Sequence, residues 1–141
     1  MGPFDRVRAL LGVLTFVAGV ATAGSLYFSE GLGLVPCDLC WYQRILMYPL
    51  VVVAGAAAIE GRAGVWKTGL PLSLGGVAVA GYHTYVQLTP AATCGVDGAC
   101  TAVLWRGLSV FTIPRLALVA FALLSVGFFV LALVDRDRTA V

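Results

Sequence analysis

The sequence predicts an all-α membrane protein: a four-transmembrane-helix bundle with two cysteine-bearing loops at one end. Composition is the first observation. Of 141 residues, 60% are hydrophobic and 11% charged, and the mean hydropathy is +0.97; a soluble domain is about 45–50% apolar. The second is that charge is missing from four long intervals, each close to the ~20 residues that span a bilayer as helix. The third is that the basic residues cluster beside alternate ends of those intervals. A net charge of +2 is too small to suggest nucleic acid as a partner. The length suits one domain and not two, so residues 1–141 are expected to form a single integral membrane domain.

The first helix is expected over residues 7–28, with Arg6 and Arg8 at its start. Ala21-Thr22-Ala23 resembles a signal cleavage site, but the apolar run continues through Phe28, so a retained helix is the better reading. Gly19 and Ala23 offer a small face for helix contact. Ser29 to Leu39 forms a loop. The second helix is expected over 41–59, with Pro49 inside it as a potential kink. Glu60 to Lys67 is a polar turn. The third helix, 68–88, has Pro71 in its first turn and a small face of Gly76, Ala80 and Thr84. A longer loop runs from Thr89 to Ile113, and within it Leu104, Trp105, Leu108, Val110 and Phe111 read as a segment lying on the membrane surface. Pro114 opens the fourth helix, 114–134, which ends before a charged tail, Asp135 to Arg138.

Arg6, Arg8, Arg62, Lys67, Arg136 and Arg138 fall on one side of this bundle, six of the nine basic residues. The positive-inside rule then places both termini in the cytoplasm of a cell membrane. Cys37, Cys40, Cys94 and Cys100 all fall in the opposite loops or at their edges, where disulfides persist. Four cysteines allow three pairings. Cys37-Asp38-Leu39-Cys40 closes a tight ring of the kind found in redox-active pairs. A helix starting near Cys40 puts Arg44 one turn from its sulfur on the same face, where dipole and cation both favour a thiolate. A four-cysteine zinc site fits poorly, because Cys94 and Cys100 are loosely spaced for a tetrahedron and Arg44 stands beside the ligands. No metal is expected.

The order of helices and cysteines, with Cys37-Asp38-Leu39-Cys40-Trp41-Tyr42-Gln43-Arg44, His83-Thr84 through Gln87-Leu88, and Ile113-Pro114, resembles the DsbB/BdbC family of membrane thiol–quinone oxidoreductases. The likeness covers nearly the whole chain. Only five residues separate Cys94 from Cys100, as in the BdbC branch. The resemblance implies a disulfide-generating enzyme that reoxidises a thioredoxin-like, DsbA-type oxidase outside the cytoplasm. The partner would attack the Cys94–Cys100 disulfide, exchange would pass to Cys37–Cys40, and two electrons would leave from Cys40 to a membrane quinone, ubiquinone or menaquinone. Arg44 would then hold the Cys40 thiolate and bind the quinone together with Cys40.

His83 has two readings open, as a quinone or proton-relay residue or as a helix–helix hydrogen-bonding group. Trp41, Tyr42, Tyr82 and Tyr85 either wall a quinone ring or form an interfacial belt. Arg115 reads as snorkelling to the interface. Two other functions compete. A vitamin K epoxide reductase-like enzyme would carry its Cys-x-x-Cys late in the chain, whereas here it comes first. A non-enzymatic tetraspan scaffold with structural disulfides would have no use for Arg44 one turn from a cysteine.

Overall fold

The computed structural model describes residues 2–89, 106–107 and 111–141. Four long helices make the molecule: α1 (Pro3–Leu26), α2 (Asp38–Glu60), α3 (Trp66–Leu88) and α4 (Ile113–Thr139). A π-turn, Tyr27–Gly31, extends α1, and a 3-10 turn, Ala63–Val65, precedes α3. Arg106–Gly107 (β1) and Phe111–Thr112 (β2) pair as a short antiparallel ladder, Arg106 opposite Thr112. This strand pair falls within the loop where a surface-lying segment is expected; of that segment Leu104, Trp105, Leu108 and Val110 lie outside the described residues.

The helices are longer than the apolar intervals, because charged and capping residues continue them. Pro3 sits in the first turn of α1, where its missing N–H costs nothing, and Asp5 accepts a hydrogen bond from the Gly2 N–H at 3.1 Å. The expected charged tail is the last turn of α4: Asp135 Oδ2 accepts from Trp66 Nε1 at 3.0 Å, and the Arg138 guanidinium stacks 4.5 Å over Phe4. Pro71 lies within α3 and not in its first turn, since that helix already begins at Trp66. α2 ends at Gly61, whose φ of +68° is the left-handed cap that glycine adopts without strain.

Contacts between helix ends fix the topology. Arg8 Nη2 donates to the Ile59 carbonyl at 3.1 Å, so the start of α1 meets the end of α2. The Trp66–Asp135 bond brings the start of α3 to the end of α4. The bundle is therefore up-down-up-down, with α1, α2, α3 and α4 following one another around it.

Its core is Leu11, Leu14, Leu50, Phe121, Leu124, Phe128 and Leu131, all buried. Its outside is equally apolar: Phe16, Val52, Leu74, Val126 and Phe129 stand exposed along the helices, as lipid-facing residues must. α1 with its π-turn, α2 and α4 are each long and apolar enough to cross a bilayer. α3 has the same 23 residues as α2 but is less apolar, and its Ser73 and His83 are turned inward and buried.

Lipid tails are as apolar as leucine, so close packing rather than hydrophobic exclusion joins helices in a membrane. The α3–α4 interface shows how. A Cβ at Gly69 would overlap the Phe128 ring, and one at Gly76 would overlap the Phe121 ring. The two glycines are seven residues apart and so are the two phenylalanines, so an antiparallel pair of helices seats both rings in one register. Ala80 is fully buried on the same stripe. Gly19 and Ala23 make no such contact: a Cβ at Gly19 would meet nothing within 4 Å and Ala23 is exposed, because α1 turns Leu14 and Ala18 inward instead.

Candidate redox site

The second helix begins at Asp38, three residues earlier than the apolar pattern implies, and Cys37 is its N-cap. Asp38 favours the first turn because a carboxylate there meets the positive end of the helix dipole. Cys37 thus takes the helix-mouth position that the sequence assigned to Cys40. Cys40 lies inside the first turn, and the two sulfurs are free thiols 3.1 Å apart.

α3 supplies the far side of the pair. His83 Nε2 stands 3.7 Å from Cys37 Sγ, and Nδ1 stands 2.9 Å from Gln43 Nε2. As placed, the Gln43 amide donates to Nδ1, which leaves the ring proton on Nε2, aimed at the sulfur. Cys37, Gln43 and His83 are all buried, and Val86, one turn beyond His83, packs on Cys37. Cys37 lies just outside the α2 span. Its thiol is lowered from an ordinary 9.0 to about 4, first by the hydrogen bond to Cys40 and then by His83, with burial acting in the opposite direction.

Cys40 faces the other way. With Ser25, Gln43, Arg44, Met47, Tyr48, Ala117 and Phe121 it lines a largely apolar cavity at the level where α1 gives way to the π-turn. Cys40, Gln43 and Met47 descend one side of α2, and Arg44 and Tyr48 descend the adjoining side. Arg44 Nη2 donates to the Ser25 carbonyl at 3.0 Å, and its guanidinium stacks 5.3 Å over Trp41. Tyr48 Oη donates to Ser25 Oγ at 3.4 Å.

The structure thus gathers Cys37, Cys40 and His83 in one cluster and puts Cys40 and Arg44 on one cavity. His83 contacts the sulfur of Cys37 and is not among the cavity residues. Cys94 and Cys100 lie outside the described residues. Trp41, Tyr42, Tyr82 and Tyr85 are exposed and absent from the cavity wall, which is the interfacial-belt arrangement. Sequence reasoning assigned no role to Gln43, Ser25 or Tyr48. For Gln43 a signal existed: three residues after Cys40, it shares that side of a helix. For Ser25, about twenty residues away on another helix, none did.

A membrane helical bundle with a Cys-x-x-Cys at a helix mouth, one thiol buried and the other half-buried, between a histidine and an arginine, has the build of a membrane thiol–disulfide oxidoreductase. The family model described as "Disulfide bond formation protein DsbB" matches residues 6–131, and the chain belongs to that family. It is 43% identical over 114 residues to disulfide bond formation protein C of Bacillus subtilis, covering 77% of this chain and 81% of that one. It is 43% identical over 121 residues to a probable disulfide formation protein of Deinococcus radiodurans, covering 77% and 78%. A probable disulfide formation protein of Metapseudomonas resinovorans is 35% identical over 142 residues, covering 97% and 96%. No solved structure matches the chain. The protein is a membrane oxidoreductase of disulfide bond formation.

Proposed function

We propose that the protein regenerates a thioredoxin-like thiol oxidase outside the cytoplasm and delivers the two electrons to a quinone in the membrane. The observation that carries this reading is the position of Cys40: one sulfur of the pair opens onto an apolar cavity that also holds a guanidinium. The cavity suits a flat apolar ring, with Arg44, Ser25 and Tyr48 as polar groups for ring oxygens. When bound, a quinone supplies a two-electron, two-proton acceptor.

The chain's own residues do the rest. The reduced partner attacks the Cys94–Cys100 disulfide, its thiolate bonding to Cys94 and releasing Cys100 as thiolate. Cys100 attacks Cys37, forming a Cys37–Cys100 bridge and releasing Cys40 as thiolate. Arg44 holds that charge at the cavity. A second partner thiol displaces Cys94, Cys94 displaces Cys37 from Cys100, and the partner leaves oxidised. His83 Nε2–H stabilises Cys37 as that leaving thiolate, and a better-stabilised thiolate leaves faster. Cys37 and Cys40 then close again as their electron pair passes to the acceptor. Both termini lie in the cytoplasm and the cysteine loops outside, supported by the basic residues at the Phe4–Arg138 end of the bundle.

Quinone reduction by the purified protein in detergent, driven by a reduced thioredoxin-like oxidase, tests the reading. Cys40→Ser is expected to abolish turnover, and Arg44→Ala to raise the quinone KM with less change in kcat. A wild type inert toward both ubiquinone and menaquinone would overturn it.

A further inference from the structure

The ligand atoms of Cys37, Cys40 and His83 lie within 4.8 Å of one another, brought together from two helices although Cys37 and His83 are 46 positions apart in the chain. We propose that the reduced protein binds one thiophilic divalent ion of the zinc–cadmium class on Cys37 Sγ, Cys40 Sγ and His83 Nε2, and that the bound ion blocks reoxidation of the pair. The clause about reoxidation rests on the function proposed above; the binding itself does not.

Geometry is the first argument. With bonds of about 2.3 Å to sulfur and about 2.0 Å to nitrogen, tetrahedral ligands stand about 3.8 Å apart for two sulfurs and about 3.5 Å for sulfur and nitrogen. Cys37 Sγ and His83 Nε2 are already 3.7 Å apart. The two sulfurs, at 3.1 Å, need to open by about 0.7 Å, which a rotation of Cys40 toward its cavity would provide. Two thiolates and an imidazole with one open position form a donor set that zinc accepts, and soft sulfur ligands select such ions over magnesium or calcium.

The second argument is Gln43. A histidine that binds metal through Nε2 must carry its proton on Nδ1, and needs an acceptor there to hold the ring. The Gln43 amide sits at that nitrogen, 2.9 Å away; turned by half a rotation it presents its oxygen and accepts from Nδ1–H. Charge is the third. Two thiolates neutralise a divalent ion, so the complex adds no net charge to a buried site, and Arg44 keeps its own tether to Ser25. Cys40, half-buried on the cavity wall, gives the entry path. Binding changes no oxidation state; each thiol that still carries a proton releases it. A closed disulfide offers no thiolate, so only the reduced protein binds.

Cadmium titration of the full chain in detergent tests this, in a Cys94→Ser/Cys100→Ser background so that Cys37 and Cys40 are the sole dithiol. The reduced protein is expected to develop a sulfur-to-cadmium charge-transfer band that saturates at one ion per chain, and the oxidised protein none. His83→Ala is expected to weaken binding at least tenfold and Gln43→Leu about 10–100-fold, with Gln43→Glu restoring it. X-ray absorption of the zinc-loaded, otherwise unaltered protein should show two sulfurs and at least one imidazole nitrogen. A reduced protein with no saturable band, affinity indifferent to His83→Ala, or a shell of two sulfurs with oxygen only would each overturn the site. The titration needs neither quinone nor thiol partner. A protein that turns over but binds no cadmium loses this proposal alone, and one that binds cadmium but never reduces quinone loses the proposed reaction alone.

Discussion

Helix α4 meets its neighbours in two contrasting ways. Against α3 it is packed to contact, with the rings of Phe121 and Phe128 filling the places where Gly76 and Gly69 have no side chain. Toward α1 and α2, at Ala117 and Phe121, it leaves a cavity that no side chain among the described residues fills. The same Phe121 ring takes part in both: one edge is locked by Gly76 and another forms cavity wall. Close packing on one side therefore holds open the space on the other, and the void is a product of rigidity rather than of loose folding.

The sharpest way to break this contrast is Gly76→Val. Its branched side chain enters the space of the Phe121 ring, and the expected loss is about 1–3 kcal/mol, as for other overpacked cores, read as a lower Tm in detergent. Adding Phe121→Leu should recover much of it, and failure to do so would mean that the ring is not what the glycine accommodates. On the open side the same kind of enlargement should behave oppositely. Ala117→Phe is expected to leave Tm nearly unchanged while raising the quinone KM at least about tenfold, a loss of about 1.4 kcal/mol in binding.

The two sulfurs repeat the contrast on a smaller scale, Cys37 being enclosed by protein and Cys40 opening to the cavity. Ultraviolet thiolate absorbance of the reduced Cys94→Ser/Cys100→Ser protein should show one sulfur ionised down to about pH 4. His83→Ala should move that midpoint upward, because a donor to the thiolate is lost. The sign for stability follows from linkage. The folded value lies below the ordinary 9.0, so the contribution is full above pH 9, shrinks as pH falls, and is gone below about 4. The smallest expected effect is far from the site: Trp66→Phe removes the bond to Asp135 and should cost about 0.5–1.5 kcal/mol with quinone reduction unaltered.

Four helices, their order, the nearness of Cys37 to Cys40 and the place of Arg44 on the Cys40 cavity were legible in the residues because each rests on local pattern: apolar length, a Cys-x-x-Cys, a spacing of four. Gly76 and Ala80 were found by the same logic. What escaped depends on how helices rotate against one another. His83 was singled out as polar and intramembrane, but its contact with Cys37 depends on the α2–α3 rotation, 46 positions apart in the chain. Gly19 and Ala23 have the same spacing as Gly76 and Ala80, yet they point away from the bundle; spacing marks a face without saying what it meets. The start of α2 was misplaced by three residues because the apolar run begins at Trp41, while the dipole and Asp38 begin the helix earlier. The widened turn at Tyr27–Gly31 closes on Gly31, where a Cβ would stand 2.9 Å from the Tyr27 ring; the glycine is visible in the sequence, but the ring it makes room for is not.

Arg44 is tied to a backbone carbonyl, and among the described residues it forms no ion pair. A carbonyl orients a guanidinium without cancelling its charge. The cavity wall therefore acts like an electrode held at a fixed positive bias in a medium of low permittivity, favouring any species that gains electrons there. A carboxylate engineered beside Ser25 would switch the bias off while leaving every cysteine in place.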